Sequence, residues 1–207
     1  MALNRTRFQN AVLYFLHESN PAVMGRVKLM KLLYYLDFDH LERYRRSVTG
    51  DGYIHLEHGP VPRSAWDVIA SMDGNMLCIE HEHIGLPNPR HVFKPLVPYD
   101  LSVFSDSERA VLISVNEKWR DATGAEIELA SHQELPWLST REKQEVPKIT
   151  AFRRRPAEPP SPELREQMLQ SIVSSLSKEG VDVPEEQARR IFDAVTNEYW
   201  SEARSPV

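Results

Sequence analysis

Asp37, His40 and Tyr44 fall at i, i+3 and i+7 of one apolar stretch, so on a helix a carboxylate, an imidazole and a phenol share a neighbourhood. On a helical wheel Asp37 lies opposite Lys28, and a carboxylate buried there must be hydrogen-bonded or protonated. Two readings stand side by side: an acid/base pair, or a polar staple that fixes how the helix meets the following loop. The histidines raise a second chemistry. His81 and His83 alternate on one face of a strand, with Glu80 and Glu82 on the other, and His55, His58, His91 and His132 lie elsewhere. Zinc accepts such ligands. Yet no HExxH, no paired CxxC and no Asp-rich box accompanies them, and eight histidines make one such pair easy to obtain by chance. There is no Gly-x-Ser-x-Gly elbow, phosphate loop or dinucleotide fingerprint, and Cys78, between Leu77 and Ile79, reads as an inert core thiol. The expectation is a protein that is not an enzyme, with no catalytic residue, metal or other cofactor.

The elements that must position these residues follow from periodicity. Arg5 to Glu18 has Phe8, Val12, Phe15 and Leu16 at helical spacing, closed by Asn20-Pro21. A second helix is predicted over about Arg26 to Arg46. Its polar stripe is Lys28, Lys31, Asp39, Glu42 and Arg46, with Tyr35 among them, and nearly everything else is apolar, so it should be largely buried at the centre of the fold. After the turn Thr49 to Gly52, Tyr53 to Glu57 alternates as a strand. Pro60 and Pro62 read as opening a short helix to about Met72. Met76 to Ile84 and His91 to Leu96 complete an expected three-stranded antiparallel sheet. Ser105 with Glu108 has capping-box spacing for a helix to about Asp121, and Thr123 or Gly124 opens another to about Leu135. The fold class is therefore α+β and mainly helical: a central buried helix, a small antiparallel sheet and a C-terminal helical hairpin.

Composition sets the wider limits. With 207 residues, 41% hydrophobic and 27% charged, the chain is long enough to bury a core without disulfide or metal staples. One cysteine excludes an internal disulfide and points to a reducing, cytoplasmic setting. Ala11 to Leu16 is too short for a signal core or a membrane span, so no membrane partner is expected. A net charge of −5 disfavours bulk coating of nucleic acid, although a local patch such as Arg43, Arg45 and Arg46 leaves DNA binding open. Residues 1–46 carry eight Lys/Arg against four Asp/Glu, whereas 158–207 carry five against ten. Between them, Val146 to Pro162 holds five of the fifteen prolines and the triplet Arg153 to Arg155. The expected organisation is a domain over 1–148, a Pro/Arg-rich linker over 149–162 and a helical hairpin over 163–207. Leu164, Met168, Ile172 and Leu176, then Ala188, Ile191, Phe192, Val195 and Tyr199, form stripes that must pack on each other and the domain, or on a partner.

Lys28-Leu29-Met30-Lys31-Leu32-Leu33-Tyr34-Tyr35, then His40-Leu41, Tyr44, Arg46, Thr49-Gly50, Tyr53 and His58-Gly59-Pro60-Val61-Pro62, resemble the Panacea domain, also called the SocA-like antitoxin domain. Ser131-His132 and Pro136-Trp137 sit where that family carries a late SH…W element, and the resemblance covers about residues 5–145. Arg45 departs from it, where many members have glycine. The resemblance implies the antitoxin half of a bacterial or phage toxin–antitoxin pair, binding a cognate protein toxin encoded next door. The rival functions are a proteolytic adaptor, a DNA-binding autoregulator of the same operon and, more remotely, a hydrolase with a metal held by His55, His58, His81, His83 and Asp37. Asp37, His40, Tyr44, His58, Gly59 and Pro60 are the candidate polar core and turn. Phe192, Tyr199 and Trp200 are the candidate partner contacts, with packing back onto the domain as the alternative. An acidic tail suits a basic toxin. The sequence leaves homodimerisation open.

Overall fold

The computed structural model describes residues 2–82, 90–154, 161–178, 184–190 and 192–193. Helix α1 (Arg5–Glu18) starts where Asn4 accepts the Arg7 amide at 3.0 Å and ends at Ser19, just before Asn20-Pro21. Helix α2 (Arg26–Tyr44) is buried at every position from Val27 to Phe38. It ends on Arg45, whose φ is 61° and whose amide bonds the Leu41 carbonyl at 2.9 Å. Glycine enters this left-handed cap freely, and an arginine costs about 1 kcal/mol more. Around α2 pack α1, α4 (Asp106–Trp119) and α5 (Gly124–His132), and a short α3 (Ala65–Met72) packs on α1. Phe8, Val12 and Phe15 of α1, Leu29, Leu32, Leu33 and Leu36 of α2, Val68 and Met72 of α3, and Val111, Leu112 and Val115 of α4 form one core. Each such side chain contributes about 1.5–3 kcal/mol by leaving water. The expected Ser105–Glu108 capping box opens α4, and a second box, Thr123 with Glu126, opens α5. Helix α5 stops at His132, and a single turn α6 (Leu135–Leu138) follows.

The strands differ from the expectation. Among the described residues there are two separate antiparallel hairpins, β1 (Tyr53–Leu56) with β2 (Gly59–Pro62), and β3 (Leu77–Glu82) with β4 (Arg90–Pro95). Pro60 and Pro62 therefore lie in a strand, and α3 begins only at Ala65. The reason is on the other edge of β1. The His55 amide donates to Gln144 O at 2.9 Å, the Lys143 amide to His55 O at 2.7 Å, and the Val146 amide to Tyr53 O at 2.9 Å. Pro60 and Pro62 stand opposite His55 and Tyr53, whose backbone groups point away from them. Their missing N–H groups are thus not needed by the ladder.

Past this edge the chain stays on the domain. Lys148–Arg153 is a 3-10 turn with Thr150 and Ala151 buried, and the Arg45 guanidinium lies 4.4 Å from the Phe152 ring centre. The opening of the segment expected as a linker is therefore a strap against the end of α2. Helix α7 (Pro162–Lys178) and the helical residues 185–190 follow. Met168, Leu169, Ala188 and Phe192 form a second apolar cluster with Leu129 of α5, edged by Trp137, Leu138 and Val173. Arg189 bridges to Glu166 at 2.8 Å across the pair. Among the described residues no helix is long and apolar enough to cross a membrane.

Candidate functional site, a buried polar centre around the second helix

Helix α2 carries polar side chains into the core at three levels. At the first, the Asp37 carboxylate accepts the Thr49 amide at 2.7 Å, the Thr49 hydroxyl and the Tyr53 hydroxyl at 2.9 Å. Burial pushes the Asp37 carboxyl up from its ordinary value, and these hydrogen bonds work against that rise. His40 does not join Asp37. Its Nδ1 meets the Arg46 carbonyl at 2.6 Å and its Nε2 the Ser107 hydroxyl at 3.1 Å, which ties the turn after α2 to the start of α4. The Tyr44 ring lies tilted against His40 with ring centres 4.7 Å apart, yet Tyr44 is 47% exposed. The three residues that share a helical neighbourhood thus serve two separate contacts.

At the second level, Lys31 is fully buried and donates to the Pro60 carbonyl at 3.0 Å. Gly59 has φ +91°, and a Cβ there would stand 2.6 Å from Lys31 Nζ, 3.0 Å from Ser131 Oγ and 3.1 Å from His132 Cδ2. Only glycine lets the strand close over this group. Burial pushes Lys31 down to about 7, against the pull of Glu128 and Glu134. His58 Nδ1 lies 3.3 Å from both Glu128 oxygens, and His132 Nε2 is 4.0 Å from Oε1. Burial and the Lys31 charge hold His132 well below the usual imidazole range. Its ring stacks on Trp137 at 4.3 Å, and Trp137 stacks on His55 at 5.1 Å on its other side. His55 in turn meets the Thr140 hydroxyl at 2.8 Å.

At the third level the Tyr34 hydroxyl donates to Glu134 at 2.6 Å. Arg154, 11% exposed, pairs with Asp39 at 2.5 Å, Glu134 at 3.2 Å and Glu42 at 3.4 Å, and its guanidinium sits 5.6 Å from the Tyr35 ring centre. Burial pushes Glu134 up to about 7, opposed first by Arg154. Burial likewise drives the Tyr34 and Tyr53 phenols well up, so both remain hydrogen-bond donors.

Lys31, Tyr53, Glu134 and Arg154 are central here and were not singled out as candidates from the sequence. The signal for Lys31 was available: a lysine with Met30 and Leu32 beside it in so apolar a helix needs an internal acceptor. Glu134 lies two residues after the Ser131-His132 pair, whereas Arg154 sits in a segment whose composition reads as linker. Among the described residues no group of three or more His, Cys, Asp or Glu is placed to hold a metal ion. His81 faces His91 across the β3–β4 ladder with ring centres 4.6 Å apart, and His83 lies outside the described residues. Cys78 is half-buried rather than in the core. Phe192 is buried in the second cluster, while Tyr199 and Trp200 lie outside the described residues.

The motif residues, distant in sequence, converge on α2: Lys31 on Pro60, Tyr53 on Asp37, Gly59 on Ser131 and His132, and His132 on Trp137. The family model described as "Antitoxin SocA-like, Panacea domain" matches residues 29–138. The chain belongs to this family. A comparison with curated proteins finds no match. The matched part of the Panacea domain runs from α2 to α6, so it contains Lys31, Asp37, Gly59 and Glu134 but not the strap that carries Arg154.

Proposed function

We propose that this chain is an antitoxin that neutralises a cognate protein toxin by direct protein–protein binding. Membership of the antitoxin family over residues 29–138 carries the reading. The polar centre agrees with it in physical terms. Asp37, Lys31, His132 and Glu134 are buried and directed at neighbouring parts of the chain, as suits a scaffold whose surface does the binding. On this reading the protein acts in the cytoplasm, needs no cofactor and is not an enzyme. Its partner is the product of a neighbouring gene.

Co-expression with that neighbour tests the reading. The expected result is restored growth together with a complex that survives purification of the tagged chain. A harmless neighbour, or rescue without any complex, contradicts it and moves the adaptor and autoregulator readings forward. A steep salt-dependent shift of upstream DNA would favour the autoregulator.

A further inference from the structure

The end of α2 and the strap beside it carry a surface unlike the rest of this acidic chain. Arg43, Arg45, Arg46 and Arg153 are all exposed there, and among the described residues none of the four meets a carboxylate. Arg45 is spent on the Phe152 ring and Arg46 on the Ser105 hydroxyl at 3.2 Å. Arg43 stands one helical turn beyond Asp39, on the edge that faces the strap. Two large apolar side chains lie among the arginines. Ile149 is 71% exposed and, three residues before Phe152 in a 3-10 turn, shares its face. Tyr44 is 47% exposed at the last turn of α2. Arg45 holds a left-handed conformation where glycine would fit with ease, so a cation stands here at a backbone position that resists a side chain.

We propose that this rim is the docking surface for a carboxylate-rich segment of the partner toxin. The proposal rests on the antitoxin reading and adds a place and a charge to it. Arginine and tyrosine around an exposed aliphatic side chain are the composition of protein-binding hot spots. Guanidinium forks take carboxylates bidentately, and the one nearby lysine, Lys148, is occupied by Ser47 and the Gly50 carbonyl. A phosphate backbone would leave Ile149 without a counterpart, and the net charge of −5 opposes it at long range. The surface is also distinct from the α5 face that α7 and Phe192 cover.

The test is titration calorimetry of the purified neighbouring-gene toxin against the full chain and the variants R153E, I149D and the pair combined. R141E serves as control, because Arg141 is exposed and outside the patch. The rim predicts that the double variant binds about 30-fold or more weakly with unchanged melting temperature. It also predicts that R141E stays within about threefold of wild type and that wild-type affinity falls as salt rises. Equal binding by all variants overturns the rim while leaving the antitoxin reading standing. Equal weakening by R141E and R153E overturns it in favour of a net-charge effect. Binding of a mixed-sequence RNA oligonucleotide that R153E abolishes, with toxin binding unchanged, overturns it in favour of nucleic acid. Absence of any complex with the wild-type chain overturns the rim and the antitoxin reading together.

Discussion

Gly59 and Lys31 show how single residues hold this fold. The glycine's φ of +91° and its approach to Lys31, Ser131 and His132 leave no room for a side chain. Gly59→Ala is therefore expected to lower stability by about 2–3 kcal/mol, read from urea denaturation midpoints. A loss below about 0.5 kcal/mol would mean that the strand can move off the lysine. Lys31 makes a prediction about pH. Its value falls from 10.5 unfolded to about 7 folded, so between these limits the unfolded chain binds more protons. Stability from this group then rises with pH from about 7 to 10.5, and the cost of the buried charge is complete below 7. Replacing it in Lys31→Met should remove that rise. The variant gains most relative to wild type near pH 6, and the gain shrinks toward pH 10. A difference between the two chains that does not vary with pH contradicts the assignment.

At the scale of elements, the strap over residues 146–154 is what the family match leaves out and what the geometry requires. Its edge pairs with β1, and Arg154 bridges Asp39, Glu42 and Glu134. Arg154→Leu leaves buried carboxylates without their cation and is expected to cost about 3–5 kcal/mol by chemical denaturation. A chain ending at Leu138 should lose cooperative unfolding, whereas one ending at Arg154 should keep it. Cooperative melting of the shorter chain by circular dichroism would show that the strap is dispensable. These elements also show what a sequence makes legible. Helix α1 and the Ser105 capping box are local patterns, and they were readable to the residue. Strand β2 was not, because two prolines argue against a strand until residues 143–146 are known to take the other edge of β1. Asp37, His58, Gly59 and Pro60 stand out in the sequence as candidates for a polar core and turn, whereas the neighbours they meet, Thr49, Glu128 and Lys31, depend on contacts that no spacing encodes. Arg154 was hidden by composition, since a Pro/Arg-rich stretch looks the same whether it is solvated or clamped on three carboxylates.

For the whole molecule, charge is divided by face. The C-terminal helices bury Met168, Ala188 and Phe192 against Leu129 and carry Glu163, Glu166, Glu185 and Glu186, while the end of α2 presents arginines that meet no carboxylate among the described residues. The domain keeps its buried polar groups, Lys31, Asp37 and Glu134 among them, for contacts within the chain. If the C-terminal helices serve mainly as a cover for α5, deleting residues 158–207 should lower solubility and stability while toxin binding persists. Loss of binding with an intact melting transition would instead place the toxin contact on the tail. The most direct test of the account is growth rescue and co-purification with the neighbouring gene product. The expected result is that growth returns and that the two chains elute as one stoichiometric complex. Rescue with the two chains eluting apart, or a neighbour that is harmless alone, would contradict it.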